Sequence, residues 1–241
     1  MGRVLVLAAA AALAVPAATA APPPSWRDFV RLGHHLYCGG GHGRYVALTF
    51  DDGPGPYTPR LLAVLRREHA RATFFVIGNR IRYWRASVAQ ELKLGALGNH
   101  TWSHPRLDGL TRRQIRKEIL LTQRELGGLG TYAFIFRPPY ERSTPLMDRV
   151  VRSLGLLDVR WSTDSEDALG AGFSEATGRV VAGLRPGAII LMHDSHSWTP
   201  DMAAAAISAA KRRHLKLVTV PELLFLDPPS RYQLKHEGAC P

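Results

Sequence analysis

The run Tyr45-Val46-Ala47-Leu48-Thr49-Phe50 constrains the fold more than any other part of this chain. It is apolar and β-branched with no polar alternation, as expected of a strand buried on both faces, and such strands belong to parallel sheets covered by helices. Gly53-Pro54-Gly55-Pro56 ends it abruptly. Thr73-Phe74-Phe75-Val76-Ile77 repeats the signal, and helical patterns at 57–69 and 82–93 lie around it. Leu94-Gly95-Ala96-Leu97-Gly98 reads as another short strand. A helix is expected over 111–126, with Thr111 as N-cap and Gln114 at the capping-box position. Further strands are expected near 134–136, 158–161, 188–192 and 216–220. This alternation predicts an α/β fold with a parallel sheet, and by itself permits either a closed barrel or an open doubly wound sheet. The 241 residues suit one domain with a sizeable core, without internal repeats.

Chemistry gathers at the end of the first strand. Adjacent acidic residues usually occupy a solvated turn, but Asp51 and Asp52 follow a buried strand directly. In parallel α/β folds that strand end is where catalytic groups collect. His100 and His104 follow the Leu94–Gly98 strand in the same way. A single histidine is most often a surface or hydrogen-bonded core residue, and a bare H-x-x-x-H is a weak signal that a helical turn or a loop can equally present. Combined with the aspartates it becomes a metal site with a spare carboxylate. Aspartate and imidazole suit zinc, manganese, cobalt or nickel, and three protein ligands leave a position open for water and substrate.

These segments resemble the polysaccharide deacetylase family, the NodB-homology domain of carbohydrate esterase family 4, in five ordered blocks between about residues 44 and 225. Thr49 to Pro54 resembles the first block, implying Asp51 as catalytic base and Asp52 as metal ligand. His100 to His104 resembles the second, implying both histidines as the remaining ligands. Arg137-Pro138-Pro139-Tyr140-Glu141 resembles the third, in which Arg137 would orient the base and the Tyr140 backbone N–H would help hold an oxyanion. Asp164-Ser165-Glu166-Asp167-Ala168 resembles the fourth, with Asp167 paired to the catalytic acid. Ile190-Leu191-Met192-His193-Asp194 resembles the fifth, implying His193 as general acid and Leu191 as a wall of the acetyl pocket. The resemblance implies a single-domain, distorted TIM-like (β/α) barrel and one divalent ion, zinc first, with cobalt, manganese or nickel as alternatives.

Two positions depart from the family pattern. Glu141 stands where the third block usually has glycine, so a requirement for φ > 0 there would bring strain or a rebuilt turn. It also brings a charge beside the cleft. Ala168 stands where the fourth block usually has tryptophan, and Trp161 or Trp198 is a candidate to compensate.

The N-terminus reads as an export signal. Arg3 precedes the apolar stretch 4–15, and Ala18-Thr19-Ala20 offers a signal-peptidase site. The expected organisation is a signal peptide over 1–20, an extension over 21–43, the deacetylase domain over 44–225 and a tail over 226–241. An uncleaved anchor is the rival, although the stretch is short against the roughly 20 residues a bilayer span needs. Cys38 and Cys240 are the only cysteines, and an exported chain is expected to join them. The expected location is extracellular or wall-associated.

The formal charge of +11, or +10 once Arg3 is removed, attracts polyanions such as wall polymers. Pairs such as Arg66-Arg67 and Arg112-Arg113 read as solvated helix faces. With no basic stripe interleaved with aromatics, nucleic acid is not an expected partner. Asn99-His100-Thr101 forms a glycosylation triplet but overlaps the proposed ligands and is discounted. The expected partner is an acetylated glycan, and the expected state a monomer without a transmembrane span. Three functions compete: an N-deacetylase on N-acetylglucosamine of peptidoglycan or chitin-type oligomers, an O-acetyl esterase on a xylan-type glycan, and a non-catalytic glycan-binding protein. Intact Asp51, Arg137, Asp167 and His193 weigh against the third, because binding alone needs no proton-transfer pair.

Overall fold

The computed structural model describes residues 26–236 and 239–241, so the expected signal peptide lies outside the described residues. The elements in chain order are α1 (Trp26–Leu32), β1 (Tyr45–Asp51), α2 (Thr58–Arg67), β2 (Ala72–Val76), α3 (Gly78–Ile81), α4 (Arg85–Leu94), β3 (Gly95–Asn99) and α5 (Arg112–Gly127). These are followed by β4 (Ile135–Phe136), α6 (Pro145–Ser153), β5 (Leu157–Asp158), β6 (Thr163–Asp164), α7 (Phe173–Gly183), β7 (Ile189–His193), α8 (Thr199–Arg212), β8 (Lys216–Leu217), α9 (Val220–Leu226) and α10 (Arg231–Lys235).

The strands form one parallel sheet in the order β5-β4-β3-β2-β1-β7-β6, with β8 also on β1. Helices cover its outside, giving the curled, distorted (β/α) barrel that the family resemblance implies. β5 sits at one edge and β6 at the other, yet only residues 159–162 separate them in sequence. The chain itself therefore crosses the seam.

Strand period sorts the residues. Val46, Leu48 and Phe50 face the helices in the larger core cluster, with Leu61, Leu65, Met202 and Ala206 among their companions. Ala47 belongs instead to the cluster of Phe75, Ile135, Leu157, Val159 and Ile189 that fills the barrel interior. Because successive side chains alternate, Thr49 and Asp51 follow Ala47 inward, and Leu191 and His193 follow Ile189. Phe29, Leu223, Leu224 and Leu234, from α1, α9 and α10, close the same cluster. The opposite end, where the strands terminate, is left for the site.

Cys38 and Cys240 are joined by a disulfide across a separation of 202 residues. α5 carries the expected capping box between Thr111 and Gln114. Two strands are shorter than their sequence patterns suggest. The 158–161 run keeps only Asp158 in β5, because the chain then turns across the seam. The 216–220 run stops at Leu217, since Thr219, Pro221 and Glu222 form the capped start of α9.

Candidate active site

Every candidate side chain hangs from the same end of the barrel. Asp51 is the last residue of β1, His100 follows β3, Arg137 follows β4, and His193 ends β7. Asp167 follows β6 by three residues in a short helical turn, 167–169. The parallel sheet alone thus delivers residues distant in sequence to one rim.

Asp51 is buried, and one of its oxygens is fixed: Arg137 Nη1 donates to Oδ1 at 2.7 Å. The other, Oδ2, lies 3.8 Å from His100 Nε2. Arg137 is fully buried and held on all sides. Its Nη1 also donates to Thr49 Oγ1, while Nε and Nη2 donate to the carbonyls of Val159 and Arg160, in the segment that crosses the barrel seam. Its guanidinium lies 4.0 Å from the Phe75 ring centroid and 5.4 Å from that of Trp161. Burial lowers the Arg137 pKa, and the Asp51 charge works against that loss.

Asp52, His100 and His104 form a cluster whose ligand atoms all lie within 4.8 Å of one another. His100 places Nδ1 against the Arg137 carbonyl at 2.7 Å. A carbonyl only accepts, so that nitrogen carries the proton and Nε2 is left as a lone pair. This lone pair faces Asp52 Oδ1 at 3.5 Å, and His104 Nε2 faces the same oxygen at 3.1 Å. Asp52 Oδ1 is buried without a hydrogen bond. The His100 lone pair and the His104 Nε2 converging on a buried carboxylate oxygen that has no hydrogen bond make a donor set that fits a divalent ion.

The histidines do not lie on a helix. Thr101 and His104 both adopt positive φ, as does Asp52. At roughly 1–2 kcal/mol per non-glycine residue, that strain persists only where the surroundings hold it. Glu118 of α5 does so here, accepting from the backbone N–H of Trp102 and Ser103 and from the Ser103 hydroxyl. Nothing in the sequence distinguishes Glu118 from the other charged residues of its helix. Asn99 is fully buried, donating to the Ile119 carbonyl and accepting from Thr101 N, which removes it from any glycosylation triplet.

On the far side of Asp51, His193 Nδ1 lies 2.6 Å from Asp167 Oδ1, and its backbone N–H donates to Asp167 Oδ2. Burial opposes protonation of the imidazole, but the Asp167 hydrogen bond and the charges of Asp167, Asp51 and Asp52 prevail and raise its pKa to about 9. Tyr140 has φ 59° and Glu141 φ 56°, so the position usually held by glycine does require the left-handed region. The Tyr140 ring packs 4.7 Å from that of His104. Leu191 is buried on the inward face of β7. Of the two tryptophans considered as compensation for Ala168, Trp161 stands beside Arg137, whereas Trp198 stacks on His196 and packs against the helical core.

Beneath this rim lie two carboxyls that the sequence did not mark. Asp194 is buried and accepts from the Thr58 hydroxyl. Glu91 of α4 is fully buried with neither oxygen hydrogen-bonded, and burial together with the Asp194 charge pushes its pKa well up.

Known proteins resemble this chain in sequence and in fold. The polysaccharide deacetylase family model matches residues 39–159. A peptidoglycan-N-acetylglucosamine deacetylase of Listeria monocytogenes is 35% identical over 181 residues, covering 74% of this chain and 38% of that protein. The chain thus spans well under half the length of that relative. A bifunctional xylanase/xylan deacetylase of Cellvibrio japonicus is 32% identical over 170 residues, covering 70% of this chain and 26% of its own. Among solved structures, the Bc1960 peptidoglycan N-acetylglucosamine deacetylase superposes with a TM-score of 0.75 at 28% identity, over 84% of this chain and 97% of that one. By the family match and the shared fold, this chain belongs to the polysaccharide deacetylase family.

Proposed function

We propose that the chain is a metal-dependent hydrolase that removes N-acetyl groups from N-acetylglucosamine residues of peptidoglycan or chitin-type oligosaccharides. One observation carries this reading: Asp51 stands between the Asp52-His100-His104 cluster and the His193-Asp167 pair, with one carboxylate oxygen held by Arg137. A binding protein needs neither the held base nor the charged acid.

Bound between Asp52, His100 and His104, a divalent ion, zinc first, would supply Lewis acidity, easing deprotonation of water and polarising the acetamide carbonyl. Asp51 Oδ2 accepts the proton of the attacking water. Arg137 pairs with that carboxylate and fixes its orientation. The Tyr140 N–H donates to the oxyanion that forms on the acetyl carbon, and Leu191 and Trp161 wall the acetyl group. His193, charged because Asp167 stands behind it, hands its proton from Nε2 to the departing sugar amine. Base and acid thus have separate partners, Arg137 for Asp51 and Asp167 for His193, as a two-residue proton relay requires.

Acetate release from chitopentaose, peptidoglycan and acetylated xylan, measured before and after chelation and with zinc or cobalt restored, tests the reading. Release that depends on metal and vanishes in Asp51→Asn supports it. No release from folded, metal-loaded protein on any of the three sinks it. The xylan deacetylase relative supports a second reading, an O-acetyl esterase, because the same residues serve an ester whose leaving group needs less protonation; preference for acetylated xylan would select it. The same proposal places 1–20 as an export signal, 44–225 as the catalytic domain and the mature protein outside the cell or at its wall as a monomer. Among the described residues no helix is long and apolar enough to cross a membrane.

A further inference from the structure

Two successive non-glycine residues, Tyr140 and Glu141, sit in the left-handed region, and the turn that contains them does little to hold itself there. Its own closing hydrogen bond, from Arg142 N to the Pro139 carbonyl, is 3.4 Å long. The short bond to this turn comes from elsewhere: Arg160 Nη1 donates to the Glu141 carbonyl at 2.7 Å.

Arg160 is built to make that bond. It lies in the segment that crosses the barrel seam and is 2% exposed. Asp158 grips it through two bonds, Nε to Oδ1 at 2.7 Å and Nη2 to Oδ2 at 3.0 Å. A bidentate pair fixes the plane of a guanidinium, so the two N–H bonds of the remaining Nη1 have set directions, and one of them meets the Glu141 carbonyl. Its backbone is pinned as well, with Arg160 N donating to the Leu36 carbonyl and the Arg160 carbonyl accepting from Arg137. His35 Nε2, from the N-terminal segment, lies 3.7 Å from Asp158 and 3.2 Å from Asp148 of α6. His35, Asp148 and Asp158 have the spacing of a metal triad, but both Asp158 oxygens are taken by Arg160, and the cluster works as an anchor.

We infer that Arg160 is a positioning residue: it clamps the Glu141 carbonyl and so holds the left-handed turn in the shape that presents the Tyr140 N–H to the site. The role rests on the deacetylase reading above. It also accounts for glutamate at a position that glycine would occupy without strain, since the clamp replaces the conformational freedom glycine supplies. Lysine cannot substitute, because a single ammonium cannot grip both Asp158 oxygens and still reach the carbonyl in a fixed direction.

The test combines R160M with D158N, so that no buried carboxylate is stranded, in both the wild-type and the E141G background. In the wild-type background kcat should fall about 100-fold, the scale of an ångström-sized misplacement of a catalytic donor, with KM and bound-metal stoichiometry unchanged. In the E141G background the same pair should cost about 10-fold or less. Amide exchange at residues 140–142 should quicken without a change in the global unfolding midpoint. Equal losses in the two backgrounds, or unchanged exchange in the turn, would overturn the clamp. Should the double variant not fold, R160K carries the same comparison. If the wild-type protein releases no acetate at all, the functional reading fails on its own and amide exchange alone decides whether Arg160 holds the turn.

Discussion

Asp51 and His193 are register partners on neighbouring parallel strands, β1 and β7. Their side chains leave the same face of the sheet at the same level, so the proposed base and acid stand side by side above the barrel interior and their separation is set by the strand spacing. Geometry fixed by a backbone ladder does not depend on loop conformation. The metal cluster, by contrast, is carried on strained loops at Asp52, Thr101 and His104 that must be held by second contacts.

Asp51→Asn keeps the shape of the carboxyl but cannot take a proton. Deacetylation should fall about 100- to 10,000-fold, the range for losing a general base, while zinc or cobalt stoichiometry stays at the wild-type level. Asp52→Ala should lose both together. Acetate release paired with metal analysis separates the two, and equal metal loss in the two variants would remove Asp51 from its assigned role.

The Asp167 hydrogen bond and the neighbouring carboxylate charges push the His193 pKa up to about 9, above its ordinary 6.5. Its folded pKa is raised, so its contribution to stability is complete below pH 6.5 and disappears as pH rises through about 9. As a general acid it must be protonated, so activity should decline on the alkaline side. Asp167→Asn removes the nearest charge that raises the value and leaves only a neutral acceptor, moving that alkaline limb toward neutral pH. Imidazole resonances followed through a pH titration check this directly, and an unmoved His193 titration in Asp167→Asn would break the assignment.

Much of this was legible in the sequence because strand ends and turns are local. The apolar run at 45–50 announced β1, its termination placed the aspartates, and Thr111 with Gln114 marked the start of α5. What stayed hidden depends on contacts between distant segments. Arg160 reads as one more basic residue until the seam brings it to the Glu141 carbonyl, and Glu118 reads as a solvated helix position until it meets the loop of the histidines. Glu91 is the sharpest case. Its helix sets a charged residue on a buried face, and no local pattern predicts that.

Cys38 and Cys240 tie the segment that pairs Leu36 with Val159 to the C-terminal tail. Replacing both with alanine should lower stability by about 2–5 kcal/mol, the usual cost of losing a native disulfide. Because Leu36 braces the segment crossing the seam, the loss should also appear as faster amide exchange around residues 158–160. Denaturant unfolding with exchange mapping measures both, and a loss confined to the termini would separate the disulfide from the site.

Glu91 offers the clearest stability test. A buried carboxyl without a partner is folded most readily in its neutral form, and its pKa lies well above the ordinary 4.5. The sign follows from linkage: relative to an uncharged side chain, Glu91 costs least below pH 4.5, and the cost grows as pH rises toward its folded pKa. Glu91→Met fills similar volume without a polar group. It should therefore stabilise the protein at neutral pH by about 1–3 kcal/mol, the penalty for an unsatisfied buried polar group, and the gain should shrink toward pH 4. Urea unfolding of the two proteins across pH 4–8 checks both the sign and the slope. A destabilised Glu91→Met at neutral pH would mean that Glu91 has a partner in solution.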